Sequence, residues 1–428
     1  MIGILFIALL VLIAAAVPIA VTMGLLGLMM DQLFSPLELS RAMGQVAWNS
    51  SQKFELIGIP LYILTGELFL RSGIARDMYR CLQYWLSWLP GGVMHSNIGS
   101  CAAFAATSGS SVATAASIGT VAMPEQKTNS YNESLFLGTL AAGGTLGILI
   151  PPSVNMIIFG IMTNTSIPQL YMAGIVPGLL LALAFMAVIV MACLAVPAWG
   201  GKAESFSWRQ RWVSLKYLVP PLGLFGLIIG SIYTGVATPT EAAALGVAGA
   251  TLLIAARRRL SLTVLRHAVE GALRTTTMVL FIVIGAFFLN FVMVTLGMMN
   301  QITSFVTDTG LSPPMTMLLI IAMYIVLGCF MDALAMVIMT IPIIAPIVAQ
   351  LGYDPVWFGI IIVLVTEASM ITPPVGINLY VIQGIRAGGS IGDVIAGSLP
   401  FVGAIFALIA ALMWFPQVAL YLPTVFYR

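Results

Sequence analysis

Long apolar runs dominate the chain and predict membrane-spanning helices. The hydrocarbon core of a bilayer is about 30 Å thick, and an α-helix needs about 20 apolar residues to cross it. Runs of this kind predict spans at 3–30, 54–70, 134–162, 174–197, 217–235, 240–256, 276–298, 355–386 and 398–418. We therefore expect an all-α polytopic membrane protein.

Two further apolar stretches, 91–123 and 314–349, are interrupted near their middles by polar residues or glycine. Such an interruption predicts a re-entrant helical hairpin, which enters and leaves the membrane on one side. The basic residues favour this interpretation, because Lys and Arg in short loops collect on the cytoplasmic side. If both stretches are hairpins, every Lys and Arg except Arg41, Lys53 and Arg428 lies on the cytoplasmic side of the membrane. The predicted outer loops at 163–173, 299–313 and 350–354 then carry no basic residue.

An internal repeat relates residues 54–178 to residues 276–401. In the topology derived from charge, the first copy starts outside and the second starts inside, so the copies have opposite orientations. Inverted repeats of this kind build secondary transporters. The alternative is a chance alignment of Gly and Pro in two apolar stretches. The matched landmarks are Gly66 with Gly285, Pro151-Pro152 with Pro373-Pro374, Asn155 with Asn378, and Pro177 with Pro400.

The predicted organisation follows from these spans and repeats. Three basic segments, 74–89, 202–217 and 257–273, combine Arg or Lys with apolar residues, which include Trp in the first two segments, as helices lying in the membrane interface do. The predicted parts begin with an N-terminal span and outer loop at 1–53, followed by a first repeat at 54–197 with a hairpin at about 91–123 and a Pro-broken helix at about 134–162. Cytoplasmic arm segments and central spans follow at 198–275. The second repeat, at 276–418, has a hairpin at about 314–349 and a broken helix at about 355–386, and a C-terminal tail covers 419–428.

Composition and missing motifs exclude several classes of protein. The chain is 60% hydrophobic and only 7% charged, which excludes a soluble fold, and its net charge of +2 is too small for a nucleic-acid binder. The four cysteines are dispersed, and the two histidines form no HExxH motif. No GxxxxGK[ST] motif is present, so the chain binds no ATP by that means. No nucleophile stands beside a base, so we expect no enzyme. Carriers, channels and membrane scaffolds remain.

The turn of the first hairpin is the segment Thr107-Ser108-Gly109-Ser110-Ser111, followed by Thr114. Two half-helices that meet there leave backbone groups unpaired, which a membrane tolerates only inside protein or beside water. Freed N–H groups carry positive dipole character and suit a carboxylate, whereas freed carbonyls and hydroxyls suit Na⁺. The competing interpretation is close helix packing through small residues.

The second hairpin places an acid inside the membrane. Asp332 follows Gly328 in an apolar run with no Lys or Arg predicted at that depth. A carboxylate in that position costs about 2.5–3.5 kcal/mol on insertion scales. A bound cation, a proton or a capping role at a half-helix could compensate for the charge.

The two Pro-Pro pairs free further carbonyls, near 147–149 and 369–371, because proline has no N–H. A simple kink would need only one proline. The candidate Na⁺ ligands are Ser108, Gly109, Thr145, Pro151, Asn155, Gly328, Asp332, Glu367, Thr372, Pro373, Gly376 and Asn378. The candidate substrate-binding residues are Ser108, Gly109, Ser110, Ser111, Thr114, Asn155 and Asn378.

Three other polar residues have structural explanations. Glu67 precedes Arg71 by one helical turn and predicts an ion pair. Glu241 lies in the first turn of a helix that Thr238 or Thr240 can cap. His95 follows two glycines at a hairpin entrance, and we assign it no chemistry.

The chain resembles the large membrane subunit of tripartite ATP-independent periplasmic (TRAP) transporters. The resemblance covers nearly the whole chain and is carried by SGSSVATAASIG at 108–119, ILIPPSVN at 148–155, ATPTEAAALG at 237–246 and ITPPVGINL at 371–379. It implies an elevator-type carrier in the bacterial inner membrane, driven by a Na⁺ gradient. It also implies two partners: a small four-helix membrane subunit, expected as a separate polypeptide, and a periplasmic substrate-binding protein.

The leading hypothesis is Na⁺-coupled import of an organic acid, with Na⁺ as the co-transported ion and no organic cofactor. Overall likeness favours the sialic-acid branch of the family, although no residue distinguishes a sugar acid from a dicarboxylate. The alternative is a stand-alone sodium/dicarboxylate carrier that needs no binding protein. An ion channel or a passive scaffold is the hypothesis from a different class.

Overall fold

The computed structural model describes residues 1–202, 205–298, 301, 310–386 and 388–427, and this part of the chain is helical with no β-strand. The predicted outer loop at 299–313 lies mostly outside the described residues, as does Arg428. Among these described residues, six helices are long and apolar enough to span a membrane, or up to eight if each of two bent helix pairs counts as one span. The prediction of an all-α membrane protein is therefore confirmed.

The first half of the chain contains ten helices among its described residues. They are α1 Ile2–Ala14, α2 Ile19–Phe34, α3 Met43–Ser51, α4 Gly58–Arg71, α5 Ile74–Leu86, α6 Val93–Ser108, α7 Ser111–Thr128, α8 Glu133–Leu149, α9 Val154–Thr163 and α10 Ile167–Ala195. The described part of the second half continues with α11 Trp208–Tyr233, α12 Pro239–Ala256, α13 Leu262–Thr295, α14 Pro313–Gly328, α15 Ala333–Gln350, α16 Pro355–Met370, α17 Ile377–Ile385, α18 Ile391–Trp414 and α19 Gln417–Phe426.

Both predicted hairpins are pairs of helices that pack on each other, α6 with α7 and α14 with α15. The first is interrupted at Gly109, whose φ of +60° ends α6 in the left-handed region that glycine adopts without a steric cost. The second is interrupted between Gly328 and Ala333. No continuous helix passes through either tip.

Both predicted broken helices are also interrupted. Helices α8 and α9 are bent by 40° where Pro151 and Pro152 intervene. Helices α16 and α17 are separated at Pro373-Pro374, and both Pro-Pro peptide bonds are cis. The same order of hairpin, broken helix and long helix thus occurs twice.

Packing partners are exchanged between these two units. The second helix of the first hairpin, α7, packs on α17 of the second broken helix, and α15 packs in the same way on α9. Each hairpin also packs on the first half of its own broken helix, α6 on α8 and α14 on α16. This reciprocity joins both units into one body. The opposite orientation of the units remains a prediction from the charge distribution.

A second group of helices lies beside this body. Helix α13 packs on α2 and α4, and α4 packs on α12, which in turn packs on α11. We call α2, α4, α11, α12 and α13 the frame, and the helices α6–α9 and α14–α18 the hairpin body. They meet where α4 contacts α6 and where α13 contacts α15.

Several sequence predictions need correction. The first span, predicted at 3–30, is two helices, because a turn in which Ala16 has a φ of +55° precedes Pro18, the N-cap residue of α2. The predicted tail at 419–428 is largely helix α19, which packs on α10. The predicted interfacial segments at 202–217 and 257–273 are mostly the first turns of the continuous helices α11 and α13. The segment at 74–89 is a separate helix, as predicted, and lies at 69° to α4.

Within the hairpin body, α8 and α18 approach each other closely through small residues. A Cβ added at Gly397 would overlap the carbonyl oxygen of Ser134, and one added at Gly138 would overlap the carbonyl oxygen of Gly397. Close packing of this kind holds helices together in a membrane, where apolar side chains gain little by leaving the lipid.

The Gly397→Ala variant should therefore be less stable than the wild type by about 1–3 kcal/mol, because its methyl group forces the two helices apart. Thermal unfolding in detergent, followed by intrinsic fluorescence, measures the change. The control is Gly403→Ala on the same helix, where an added Cβ meets nothing within 4 Å. Equal melting temperatures for both variants would contradict the proposed contact.

Candidate substrate and ion site between the hairpins

A cavity of about 550 Å³ lies where the hairpin tips meet the breaks in the Pro-broken helices. The hairpin body contributes residues from both tips, from α9 and from the start of α17, and the frame contributes residues from α4 and α13. Of the residues predicted for the site, those that line the cavity are Ser108, Gly109, Ser110, Ser111, Asn155 and Asp332.

Backbone contacts on two sides fix the first tip. A Cβ at Gly109 would lie 2.8 Å from the carbonyl oxygen of Pro152, and one at Gly66 would lie 2.9 Å from the backbone of Ser108. The tip thus fits between the frame helix α4 and the first Pro-Pro segment only because both positions are glycine. Within the tip, Thr114 donates to the Ser110 carbonyl at 2.8 Å, and its hydroxyl is 2.8 Å from that of Ser108.

Asp332 forms the second tip by capping α15. Its Oδ1 atom accepts hydrogen bonds from the backbone N–H groups of Leu334 at 2.9 Å and Ala335 at 3.2 Å. The capping role considered from the sequence is therefore present. Since both bonds use one oxygen, the other carboxylate oxygen keeps its capacity to bind a cation.

The two predicted asparagines occupy matching positions but differ in their bonds. Asn155 is 1% exposed, and neither its amide oxygen nor its amide nitrogen has a hydrogen-bond partner. Asn378 is fully buried and donates to the Ala141 carbonyl at 3.3 Å, but its amide oxygen has no partner. A buried amide without partners costs about 1–3 kcal/mol, and such groups are rare in native proteins. Asn155 in particular faces a cavity in which a ligand could satisfy it.

Four half-helices begin at this cavity. The cavity lining includes the first residues of α7, α9, α15 and α17, namely Ser111, Val154, Ala333 and Ile377. The N-terminus of a helix carries about half a positive charge and attracts anions. At α15 this charge is offset by Asp332, whereas α7 has only the neutral cap Ser110, whose hydroxyl accepts from Ala113 at 3.4 Å. The two sides of the cavity thus differ in electrostatic character.

The remaining predicted residues do not line the cavity. The hydroxyls of Thr145 and Thr372 donate to backbone carbonyls one turn earlier, at 2.7 and 2.6 Å. Gly328 leaves room for Ser369. Residues Thr114, Pro151, Pro373 and Gly376 are close in sequence to the lining, and Gly376 has a φ of +52° that starts α17.

Glu367 is a second acid inside the hairpin body. Its side chain is fully buried on α16, where the carboxyl group lies against the backbone of Leu149 and has no well-formed hydrogen bond. Leu149 is the last residue of α8 before the first Pro-Pro pair. The sequence named Glu367 only as an oxygen near the second break, and the fold brings it to the first.

Sequence reasoning missed the frame side of the cavity. Glu67, Thr275 and Met278 all line it. Glu67 also forms the predicted ion pair with Arg71, at 2.9 Å, and no local signal indicated that this pair borders a cavity. The prediction for Glu241 is confirmed, since it forms a capping box with Thr238. His95 contacts the Pro90 carbonyl at 2.8 Å, away from the cavity.

A cavity between interrupted hairpins and interrupted helices, with polar groups at the interruptions, is typical of secondary transporters when it lies within a helical membrane fold. Residues 6–418 match the family model described as "Tripartite ATP-independent periplasmic transporter, DctM component". The chain therefore belongs to this family as a TRAP transporter large permease. It is a multi-pass protein of the inner membrane and a transport protein, not an enzyme.

Named relatives have different substrates. The C4-dicarboxylate TRAP transporter large permease protein DctM of Pseudomonas aeruginosa is 35% identical over 94% of this chain and 93% of its own length. The sialic acid TRAP transporter large permease protein SiaM of Vibrio cholerae is 29% identical over 87% of each chain. The crystal structure of the YdaH transporter of Alcanivorax borkumensis shares the fold, with a TM-score of 0.65 and 13% identity over 94% of this chain and 98% of that one.

Suppose that only a bound ligand supplies hydrogen-bond partners for the Asn155 amide. The Asn155→Leu variant should then be as stable as the wild type without ligand, because an apolar side chain replaces an unpaired amide. It should also lose the rise in melting temperature that the ligands give the wild type. Thermal unfolding with Na⁺ and substrate together, against choline alone, measures both effects. The control, Asn49→Leu, lies on the exposed helix α3. An undiminished ligand effect in Asn155→Leu would contradict a role in binding.

Proposed function

We propose that this large permease imports an organic acid together with Na⁺, and that both bind in the cavity between the hairpin tips. The observation that carries the proposal is the composition of the cavity wall. Its polar groups are hydroxyls, an unpaired amide, half-helix N-termini and two carboxylates. Within the described residues no Lys or Arg lines it.

The charge balance of the cavity supports the coupling to Na⁺. Of its two carboxylates, Glu67 is paired with Arg71, while Asp332 has no basic partner in the described part of the chain. An organic anion that entered this cavity alone would add negative charge beside Asp332 in a medium of low dielectric constant, which is strongly unfavourable. Cations that enter with the anion remove this penalty. The electrostatics therefore favour co-transport of a cation, and we propose that this cation is Na⁺.

The proposed Na⁺ ligands are hard oxygen atoms at the breaks. Asp332 supplies its free carboxylate oxygen at the second tip, and the hydroxyl and carbonyl oxygens of Ser108 and Gly109 supply others at the first tip. The carboxyl group of Glu367, beside Leu149, fits a second cation between the two broken helices. The full proposed ligand set remains the one predicted from the sequence.

The proposed substrate side is the first tip. The N-terminus of α7 has no charged cap, and Asn155 at the start of α9 offers an amide to a carboxylate. The relatives named for C4-dicarboxylates and for sialic acid both transport carboxylates, so we propose an organic acid as the substrate class. No residue of the cavity selects the sialic-acid branch over the dicarboxylate branch.

Binding at this boundary can drive transport if the hairpin body moves as a unit against the frame, as in an elevator mechanism. The cavity has walls from both groups of helices, so Na⁺ and substrate bound to both tips would change the contacts between the groups. A ligand shifts a conformational equilibrium only as far as it binds the two states differently. The proposed partners are a small membrane subunit as a separate chain and a periplasmic substrate-binding protein.

The proposal predicts uptake that needs all components. In proteoliposomes with the small subunit and the soluble binding protein, an inward Na⁺ gradient should drive saturable uptake of an acid from a panel of C4-dicarboxylates, monocarboxylates and sialic acid. Replacing Na⁺ by choline should abolish uptake. Uptake by this chain without the binding protein would instead support the stand-alone carrier.

Asp332 offers a sharper test, because one substitution removes its charge and still leaves a side chain that can cap α15. Asparagine caps a helix about as well as aspartate, so Asp332→Asn should keep a melting temperature near that of the wild type. The Na⁺ concentration for half-maximal uptake should rise about tenfold or more, since a charged ligand is lost. Asp332→Ala should lose stability as well.

The matched control is Asp354→Asn. Asp354 caps α16 with the same geometry, accepting from Val356 at 2.8 Å and Trp357 at 3.0 Å, but lies outside the cavity. It should leave the Na⁺ dependence unchanged. A normal Na⁺ dependence in Asp332→Asn would remove Asp332 from the ion site.

A further inference from the structure

A second cavity adjoins the central one on the side that the charge distribution assigns to the cytoplasm. It has a volume of about 460 Å³ and lies between the end of α4, the start of α5 and the middle of α7. The two cavities share Leu70 and Ala116 as lining residues. We call this second cavity the vestibule. The two cavities are therefore neighbours along α4 and α7.

The vestibule is rich in arginine. Among the described residues, its charged lining consists of three arginines and one acid: Arg71, Arg76, Arg259 and Asp77. Asp77 is shared between Arg259 at 2.7 Å and Arg257 at 3.1 Å, so one carboxylate faces two guanidinium groups. Arg76 is exposed and has no ion pair among the described residues. The vestibule therefore carries excess positive charge.

The ion pair between Glu67 and Arg71 stands where the two cavities meet. Glu67 lines the central cavity and Arg71 lines the vestibule, and their side chains are joined at 2.9 Å. On the frame side, Gly271 of α13 leaves room for the carboxylate, since a Cβ there would lie 2.6 Å from it.

The second repeat offers an internal comparison. The position that matches Arg71 is Asn290, and the position that matches Glu67 is Ala286, because Gly66 corresponds to Gly285. Asn290 lines a cavity of about 360 Å³ between α9, α13 and α15, the counterpart of the vestibule in the second repeat. Among the described residues, no charged side chain lines that counterpart. In the described part of the chain, the fold thus forms such a cavity without arginine in the second repeat and with arginine in the first.

We infer that the vestibule is the cytoplasmic release path for the transported anion, and that Arg71, Arg76 and Arg259 attract the anion there. The inference rests on the proposed function, since it needs an anionic substrate. Positive charge in a cleft with low-dielectric walls raises the local concentration of an anion and its rate of encounter. The arginines thus set how strongly internal substrate rebinds, while the central cavity sets what is transported.

Inhibition by internal substrate tests this inference. The complete complex is reconstituted in proteoliposomes loaded with graded concentrations of the acid that the panel identifies. The internal concentration that halves the initial uptake rate is then measured. Arg76→Asn should raise this concentration about threefold or more at low ionic strength, and high concentrations of choline chloride should remove the difference, because salt screens exposed charges. Arg76→Lys should behave as the wild type, and the external KM should not change.

The control is Arg80→Asn. Arg80 is exposed one turn further along α5, contributes equally to the cytoplasmic charge bias, and does not line the vestibule. An unchanged half-inhibiting concentration in Arg76→Asn, or an equal change in Arg80→Asn, would overturn the inference while leaving the proposed function intact. A wild-type complex without Na⁺-dependent uptake of any acid in the panel would overturn the proposed function and the inference together.

Discussion

Peptide groups that lack a partner inside a membrane are the constraint on which this structure depends. In hydrocarbon, each N–H or C=O group must be satisfied by protein, by enclosed water or by a bound ligand. The chain interrupts four helices at membrane depth, two at hairpin tips and two at Pro-Pro pairs. Because the four breaks lie together, the unfavourable free energy of their unpaired backbone groups is confined to one cavity. The same arrangement creates a site for small polar ligands.

The repeats give this cavity similar walls but different charges. Each hairpin has its second helix beginning at the cavity, and each broken helix has an asparagine shortly after its Pro-Pro pair. The first tip is built from serine and glycine, so the half-helix there keeps its attraction for anions. The second tip contains Asp332, which offsets that attraction and favours a cation. One architecture, used twice, can therefore hold an anion and a cation side by side.

Much of the site could be predicted because its residues are of types that are unusual within apolar membrane-spanning segments. A run of serine and glycine in an apolar stretch, an aspartate with no basic neighbour and paired prolines are visible in the sequence without any knowledge of the fold. The frame residues Glu67 and Thr275 could not be found in this way, because their place in the cavity depends on packing between α4, α13 and the hairpin tips. Glu367 shows the same limit, since the fold carries it to the break in the other repeat.

The errors in the fold have a related cause. An apolar run of about 20 residues predicts a span whether or not a turn divides it, so the turn before Pro18 was missed. Amphipathic basic segments predict interfacial helices, but the sequence of α13 contains no proline or other signal that would separate its basic start from its apolar remainder. Helix α13 therefore continues from its basic start into its apolar remainder without a break.

The central claim, that Na⁺ and an organic acid bind together between the hairpin tips, is tested most directly by thiol accessibility. Val112 lines the cavity and is 37% exposed, while the four native cysteines are buried. In a Val112→Cys variant of the complete complex, the rate of alkylation by a small hydrophilic reagent should fall severalfold when Na⁺ and the transported acid are both present. Neither the acid in choline nor an untransported acid in Na⁺ should produce the same protection. An alkylation rate that is indifferent to both ligands would contradict the account.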